Sequence, residues 1–377
     1  VVDMETEFCS VSLDIIGKAV FNYKFESVTS ESPVIKAVYS ALREAEHRST
    51  SFIPYWKLPL ARYWFPQLRE FHGNMRLLNT VLNELIAQAL DTQDAADVDE
   101  LTERSYDGVE DTSLLRFLVD MRGEDCTSKQ LRDDLMTMLI AGHETTAAVL
   151  TWAFYELAQS PEALARAQAE VDAVLGDREP TLEDVKKLDF VRLIVAESLR
   201  MYPEPPLLIR RALEDDELPA GRGPQPTKIE RGTDVFIAVY NMHRSPLYWS
   251  DPDTFDPSRF ERPFKASSHP DWAGYEAPRE GSPQLYPNEI NADFAFLPFG
   301  GGSRKCVGDQ FAVMEATVTL AGILRNFDFE LDGAPEDVGM RTGATIHTEN
   351  GLRMRVRERQ GIPGRDVAAA DPQRQGA

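Results

Sequence analysis

The chain has 377 residues, 42% hydrophobic and 27% charged, which is enough to bury a large core in one extended domain or two. Its formal net charge of −22 argues against a nucleic-acid partner, because phosphate backbones require a basic surface. Three widely spaced cysteines (Cys9, Cys126 and Cys306) form neither a disulfide framework nor a Cys-x-x-Cys zinc pair, and therefore indicate a reducing compartment.

The first part of the chain is predicted to be helical. Residues 4–24 and 31–48 have helical patterns, and residues 51–60 form an extended aromatic connector with two prolines. Residues 67–90 predict a long helix, because apolar residues recur there at helical spacing: Leu68, Phe71, Met75, Leu78, Leu82, Leu85, Ile86 and Leu90. The acidic stretch 91–111 is predicted to be a solvated loop.

The middle of the chain contains its most apolar segment. A capping sequence at 127–130 predicts the start of a helix that continues to Gln159. Its apolar part, 135–157, carries His143, Glu144 and Glu156, so we expect a buried core helix rather than a membrane-spanning one. Further helices are predicted over 161–175 and 181–201.

The last part combines strands, an insertion and a helix. Alternating residues predict strands within 227–239, and a helix is expected over 308–326. The Pro-, Gly- and Ser-rich stretch 263–291 has no periodicity and predicts a functional or mobile insertion. The fold class is therefore mainly α with small β-sheets, with one domain over 1–359 and a disordered tail over 360–377.

A glycine-rich loop from Phe299 to Gly308 leads into the last helix. We expect the unpaired N–H groups at the helix start, together with Arg304, to lower the pKa of Cys306. Such a thiolate can be a nucleophile, a redox thiol or a metal ligand, and the plainer alternative is a flexible turn around a buried cysteine. The spacing Phe-x-x-Gly-x-Arg-x-Cys-x-Gly, which includes Gly302, resembles the haem-ligand loop of the cytochrome P450 family.

This resemblance implies a cofactor and roles for individual residues. The cofactor would be haem b, with the Cys306 thiolate as the iron ligand. Arg304 and Arg210 would bind the haem propionates, whereas Arg211 is predicted to be a surface charge. The remaining residues of the expected pocket would shape the space around the sulfur or pack against the haem: Phe299, Gly302, Gly308, Ala312 and Ala141.

The long apolar helix contains a second motif, residues 141–146 (AGHETT). A zinc-protease helix would require a second histidine where Ala147 stands. Gly142 allows a close approach to the backbone, and threonine hydroxyls can bond to carbonyls one turn back and open the helix for a small ligand. A core helix with satisfied polar residues explains this segment equally well. The segment also resembles the oxygen-activating groove of the same family, which implies that Thr145 and Glu144 deliver protons during oxygen activation.

A third constellation is predicted to stabilise the fold. Glu197 and Arg200 lie three residues apart on one helix face, beside apolar residues that make burial plausible. With Arg259 they resemble the family's Glu-x-x-Arg helix and its later arginine, which hold the loop behind the haem. Ser258 replaces the glutamate common before that arginine, and we expect this change to be tolerated.

The resemblance extends from about Met4 to Arg359 and is closest to the plastid group that hydroxylates carotenoid β-rings. It implies a monooxygenase that inserts one oxygen atom from O2 at ring carbon 3. The strings that carry this narrower resemblance are 51–57 (SFIPYWK), 272–275 (WAGY), 285–290 (LYPNEI), 308–312 (GDQFA) and 342–347 (TGATIH). The family's N-terminal part and any transit peptide are expected to be missing.

The resemblance also implies partners. No flavin or iron–sulfur segment is visible, so we expect a separate electron donor, either a ferredoxin or a flavoprotein reductase, and the sequence leaves peripheral membrane contact open. One alternative is a truncated, non-catalytic paralogue that acts as a partner of intact hydroxylases. The other is an oxygen-independent haem-thiolate isomerase or dehydratase, against which Thr145 argues.

Overall fold

The computed structural model describes residues 1–30, 32–91, 113–122, 128–220, 225–279 and 281–360. The helices in these ranges are α1 (Met4–Phe21), α2 (Pro33–Thr50), α3 (Ala61–Trp64), α4 (Pro66–Asp91), α5 (Leu114–Arg122), α6 (Ser128–Gln159), α7 (Pro161–Leu175), α8 (Leu182–Val185), α9 (Asp189–Met201), α10 (Val239–His243), α11 (Asp309–Asn326) and α12 (Pro335–Val338). The strands are β1 (Val2–Asp3), β2 (Leu208–Arg211), β3 (Asp216–Leu218), β4 (Thr227–Ile229), β5 (Asp234–Ile237), β6 (Phe327–Leu331), β7 (Arg341–Thr342), β8 (Ile346–His347) and β9 (Arg353–Glu358).

The chain forms two compact units. The first unit comprises Asp3–Ala148, and the second comprises Val149 onward together with Val1–Val2. In the first unit α2 packs along α4, and α1 packs against α5. Leu78 and Leu82 of α4 are fully buried, because their one-turn spacing places both on the face that packs inward.

The second unit is built around α9 and α11, which pack against each other and against α7. Its largest sheet has three strands in the order β1-β9-β6, and β6 pairs antiparallel with β9 so that Phe327 lies opposite Glu358. The other sheets are antiparallel pairs, β2 with β5, β3 with β4, and β7 with β8. The predicted class, mainly α with small sheets, is confirmed.

Most predicted helices are found close to their expected bounds. The predicted helix over 181–201 is instead two helices, α8 and α9. Asp184 accepts hydrogen bonds from Arg178 Nη2 and Thr181 Oγ1, both at 2.7 Å, and so closes α8 into a separate turn before α9 begins. The connector 51–60 also contains a 3-10 turn, Tyr55–Lys57. The predicted loop began at residue 91, but Asp91 is the last residue of α4. The rest of that loop (92–111), Thr127 and residues 361–377 of the predicted tail 360–377 lie outside the described residues.

The insertion over 263–291 is anchored by aromatic side chains. Phe264 forms an isolated antiparallel bridge with Tyr275, whose hydroxyl donates to the Phe260 carbonyl at 2.9 Å. The Trp272 indole N–H donates to the Ala292 carbonyl at 2.9 Å. Trp272 and Tyr275 are buried and Phe264 is half-buried. Their positions show no periodicity in the sequence because their partners lie in other segments.

The predicted burial of the most apolar helix is confirmed. Leu139, Leu150 and Leu157 of α6 are fully buried. Among the helices that the structure describes, none is both long enough and apolar enough to cross a membrane.

Candidate functional site

The loop from Phe299 to Gly308 holds Cys306 through its own backbone. The Cys306 N–H donates to the Phe299 carbonyl at 2.9 Å, across a 3-10 turn at Gly302–Arg304. Gly300 and Gly302 have φ values of +75° and +69°, a left-handed conformation that strains any other residue. The helix α11 begins at Asp309, so Cys306 precedes it by three residues. The hydrogen bond between Cys306 and Phe299 therefore closes the loop, and the thiol lies at the closed end.

The surroundings of Cys306 oppose the expected loss of its proton. Its side chain is exposed on one side. The protein on the other sides excludes enough water to raise the pKa of the thiol, and the carboxylate of Asp309 raises it further. The Gly308 backbone N–H and Lys305 act in the opposite direction but do not prevail. The predicted net lowering of this pKa is therefore wrong. The helix start does act as expected, through the Gly308 N–H, but the nearby cation that acts on the thiol is Lys305 rather than Arg304.

The insertion contributes a charged cluster next to this loop. Tyr286 is buried, its hydroxyl donates to Asp309 Oδ2 at 2.6 Å, and its ring meets Phe299 edge-on at 4.9 Å between centroids. Lys305 Nζ lies 3.0 Å from Glu289 Oε2 and 3.3 Å from Asp309 Oδ2. Sequence reasoning did not assign these roles, although the strings 285–290 and 308–312 had marked Tyr286, Glu289 and Asp309 as characteristic of the plastid group.

The predicted trio of Glu197, Arg200 and Arg259 comes together around one carboxylate. Arg200 Nε and Nη2 each donate to Glu197 at 2.8 Å, and Arg259 Nε donates to Glu197 Oε1 at 2.9 Å. Arg200 and Glu197 are fully buried, and Asp256 N–H also donates to Glu197 Oε1 at 2.9 Å. The serine at position 258 leaves the contact of Arg259 intact. The other guanidinium nitrogens of Arg200 and Arg259 donate to backbone carbonyls, so every nitrogen has an acceptor, which a buried ion pair requires.

Arg200 also connects this trio to the segment that precedes the cysteine loop. Its Nη1 donates to the carbonyls of His243 and Pro252, at 2.8 and 2.7 Å. The imidazole Nε2 of His243 accepts the Leu297 N–H at 2.8 Å. Leu297 lies two residues before Phe299. Sequence reasoning missed His243, because a single histidine carries no pattern that points to a distant partner.

The two arginines predicted to bind propionates have no carboxylate partner among the described residues. Arg304 is exposed, and the only hydrogen bond of the Arg210 side chain there is to the Ile209 carbonyl, at 2.9 Å. Arg210 and Leu208 share one face of β2, and Leu208 Cδ1 would lie 3.8 Å from a Cβ at Gly300. Arg211, on the other face, donates twice to Asp234 at 2.7 Å and is a surface charge, as predicted.

The predicted oxygen-activating residues lie in the first unit, on α6. The hydroxyl of Thr145 donates to the Ala141 carbonyl at 2.7 Å, yet α6 continues without a break from Ser128 to Gln159. The predicted opening of the helix is therefore not observed, since a carbonyl can accept both the hydroxyl and the helical N–H. A Cβ at Gly142 would lie 2.5 Å from Ile16 Cδ1, so this glycine accommodates packing by α1 rather than by a ligand.

Glu144 faces the interior of the first unit. It is 5% exposed, and its negative charge acts on Cys9 of α1. Burial raises the pKa of the Cys9 thiol to about 12, and the charge of Glu144 contributes to that shift. The exposed Ala141 and half-buried Thr145 lie one turn apart on a different face of the helix.

Comparison with known proteins identifies the family. The cytochrome P450 family profile matches residues 1–352. The chain belongs to the cytochrome P450 family. It is similar to the crystal structure of the cytochrome P450DA heme domain, with a TM-score of 0.73 and 26% sequence identity. The similarity covers 95% of this chain and 68% of that structure's chain.

Two relatives are plant proteins. The chain is 58% identical over 362 residues to cytochrome P450 97B2, chloroplastic, of Glycine max. That alignment covers 96% of this chain and 63% of the relative. The chain is also 44% identical over 359 residues to carotene epsilon-monooxygenase, chloroplastic, of Arabidopsis thaliana. That alignment covers 95% of this chain and 61% of the relative. The P450 chain thus spans about three fifths of the length of these relatives.

Cytochromes P450 bind haem b through a cysteine thiolate. The residues described here fit that cofactor. Cys306 supplies an exposed sulfur, and a Cβ at Gly302 would meet nothing within 4 Å, which leaves open space beside the loop. Val307, next to the cysteine, exposes 94% of its apolar side chain. Arg304 and Arg210 supply cations that no carboxylate of the described residues neutralises, as haem propionates require.

Proposed function

We propose that this P450 is a haem-dependent monooxygenase that inserts one oxygen atom from O2 into an apolar substrate. The observation that carries the proposal is the loop in which the Cys306 N–H bonds to the Phe299 carbonyl and leaves the thiol exposed. In this proposal residues 1–359 act as one haem-thiolate domain. Bound haem would supply the activation of O2, with electron density donated by the thiolate.

The chain's own residues would bind the cofactor and handle protons. Arg304 and Arg210 would hold the propionates, and the left-handed Gly302 leaves open space beside the loop. Gly308 keeps side-chain atoms away from the sulfur, because a Cβ there would lie 3.9 Å from Cys306 Sγ. Thr145 would pass protons from its hydroxyl, which now bonds to the Ala141 carbonyl. Glu144 would resupply those protons from the interior side of α6. The remaining pocket residues, Phe299, Gly308, Ala312 and Ala141, would shape the walls.

The proposed substrate is a carotenoid β-ring, hydroxylated at carbon 3 in the plastid. Support comes from the two plant relatives, one of which is a carotene epsilon-monooxygenase and both of which are chloroplastic. That name refers to ε-rings, so β,ε-carotene is the informative substrate because it offers both rings at once. Electrons would come from a separate ferredoxin or flavoprotein reductase.

The first test is the absorbance spectrum of the reduced protein under carbon monoxide. A thiolate-ligated haem gives a red-shifted carbonyl band, which we expect in the wild type and in the control Cys9→Ser, and not in Cys306→Ser. The second test is turnover of β,ε-carotene with a reductase or ferredoxin system, with the 3-hydroxylated β-ring as the expected product. A folded protein without a haem band would favour the non-catalytic paralogue. Rearranged product without O2 would favour the isomerase or dehydratase.

A peripheral membrane contact is proposed for the aromatic segment, residues 51–65, of the first unit. Its exposed apolar side chains are Phe52, Ile53, Leu58, Leu60, Tyr63 and Trp64, between 50% and 104% exposed. The segment contains Lys57 and Arg62 and no acidic residue, in a chain of net charge −22. Tyr55 anchors it, because its ring packs with Ala61 and Leu68. Exposed apolar groups flanked by cations match an anionic lipid surface.

Vesicle sedimentation tests this contact directly. We expect binding to vesicles that contain phosphatidylglycerol, weaker binding to pure phosphatidylcholine, and a loss of at least tenfold in Leu60→Ser/Trp64→Ser. The matched control is Leu213→Ser, since Leu213 is 79% exposed but lies outside the segment. Equal binding by the double variant and the control would contradict the proposal.

A further inference from the structure

His243 connects the buried Arg200 of α9 to Leu297, which lies just before the cysteine loop. Its ring is fully buried between α9 and the residues that lead into the loop. We propose that His243 is a positioning residue, which holds the entry of the Phe299–Gly308 loop in place through the Leu297 backbone. The inference rests on the proposed function insofar as that loop carries the haem ligand.

The hydrogen bond fixes the tautomer of the ring. The Leu297 N–H can only donate, so Nε2 of His243 must be the unprotonated acceptor, at 2.8 Å. The proton of the neutral ring is then on Nδ1, which is buried and makes no hydrogen bond to another described residue. The backbone groups of Leu199 and Arg200 act on the ring and favour its protonated form, but not strongly enough to keep its pKa up. The ring must stay neutral, because a second proton on Nε2 would face the Leu297 N–H. Burial and the charge of Arg200 lower the pKa of His243 to about 3, so it remains neutral at physiological pH.

The backbone of His243 is fixed independently of its ring. Its carbonyl accepts Arg200 Nη1 at 2.8 Å, and Arg200 is in turn held by Glu197. The ring also packs against Phe296, with 5.1 Å between centroids. The imidazole therefore projects from a backbone that a buried ion pair holds in place, which is what a positioning group requires.

The segment that His243 holds continues directly into the loop. The Leu297 carbonyl accepts the Gly300 N–H at 3.3 Å, and the Phe299 carbonyl accepts the Cys306 N–H at 2.9 Å. A shift of Leu297 would therefore move Gly300 through their hydrogen bond, and would move Phe299, which bonds to Cys306, through the backbone. Without an acceptor at Nε2, the Leu297 N–H would be left unsatisfied at a part-buried position, which favours opening of the loop.

Three substitutions of His243 distinguish the effect of a hydrogen-bond acceptor at the position of Nε2 from the effects of side-chain volume and polarity. The side-chain oxygen of His243→Gln reaches about as far as Nε2, whereas that of His243→Asn reaches only as far as Nδ1, and His243→Phe keeps the volume without an acceptor. Hydrogen exchange of the peptide covering residues 296–306 is measured by mass spectrometry in the protein as isolated. We expect exchange at least tenfold faster than wild type in the Asn and Phe variants and near the wild-type rate in the Gln variant.

The same series is then compared after haem loading, by the reduced carbonyl spectrum. The Gln variant should keep the band of thiolate-ligated haem, and the Asn and Phe variants should lose part of it. If Gln and Asn behave alike, in either direction, the position serves only folding and the proposal is overturned. If the wild type takes up no haem, the proposed function fails, while the exchange series still decides whether His243 holds the loop.

Discussion

Replacing Arg200 by lysine should destabilise the protein more than any comparable change of an exposed arginine. Arg200 is fully buried and makes five hydrogen bonds, two to Glu197 at 2.8 Å and three to the carbonyls of His243, Pro252 and Thr254 at 2.8, 2.7 and 3.3 Å. Lysine keeps the charge but offers three donors on one nitrogen and cannot form the two-pronged contact. At least two charge-assisted bonds are lost, so we expect a loss of about 3–5 kcal/mol in the free energy of unfolding.

Urea unfolding followed by tryptophan fluorescence measures this loss, because the Trp249 ring centroid lies 5.5 Å from the Arg200 guanidinium carbon. For a slope of about 3 kcal/mol per molar, the unfolding midpoint should fall by about 1–2 M. The control is Arg211→Lys, which alters an equally bidentate pair with Asp234 that is 65% exposed on the arginine side. Solvent screens that pair, so its midpoint should hardly change. Equal shifts for the two variants would refute the reasoning that burial and bond number set the cost.

Three further outcomes are expected. Gly142→Ala should destabilise the protein by about 1–3 kcal/mol, because the new Cβ would lie 2.5 Å from Ile16 Cδ1, and adding Ile16→Val should recover part of the loss; thermal unfolding checks both. The pKa of His243 falls from 6.5 in the unfolded chain to about 3 in the folded one, so the contribution of the neutral ring to stability is complete above pH 6.5 and is lost as the pH falls. The free energy of unfolding of the wild type relative to His243→Gln should drop by about 1.4 kcal/mol per pH unit between pH 6 and 4. A difference that does not change with pH would contradict this. For the proposed carotene hydroxylation, Thr145→Val should lower turnover about 100-fold with an unchanged melting temperature, whereas Thr145→Ser should retain turnover.

Local patterns predicted the long helices well, because the buried residues of a helix recur at a regular spacing within one continuous stretch of sequence. The helix predicted over 67–90 is observed at Pro66–Asp91, and the one predicted over 161–175 has those bounds. The strands Phe327–Leu331 and Arg353–Glu358 were not predicted. Each has five or six residues, and their pairing joins segments more than twenty residues apart, which no short window detects.

The candidate site was predictable where its residues belong to one motif. The pairing of Glu197 with Arg200 follows from helical spacing, and the third partner, Arg259, came from resemblance. Tyr286 and His243 were not assigned roles, because each acts on the loop through a contact with a residue more than twenty positions away. The expected low pKa of Cys306 was wrong for a related reason, since the charges beside a sulfur depend on packing.

The anchoring of the insertion at two separate points limits where its length can change. One end is tied down by the bridge between Phe264 and Tyr275, and the other by Tyr286 beside the cysteine loop. Glu276 and Gln284 are both hydrogen-bonded to Asn291, at 2.8 and 2.6 Å, so residues added between these two positions cost little more than loop entropy. An epitope or a reporter peptide placed in that span should leave both anchors in register. The same addition between Tyr286 and Glu289 would displace the partners of Asp309 and Lys305.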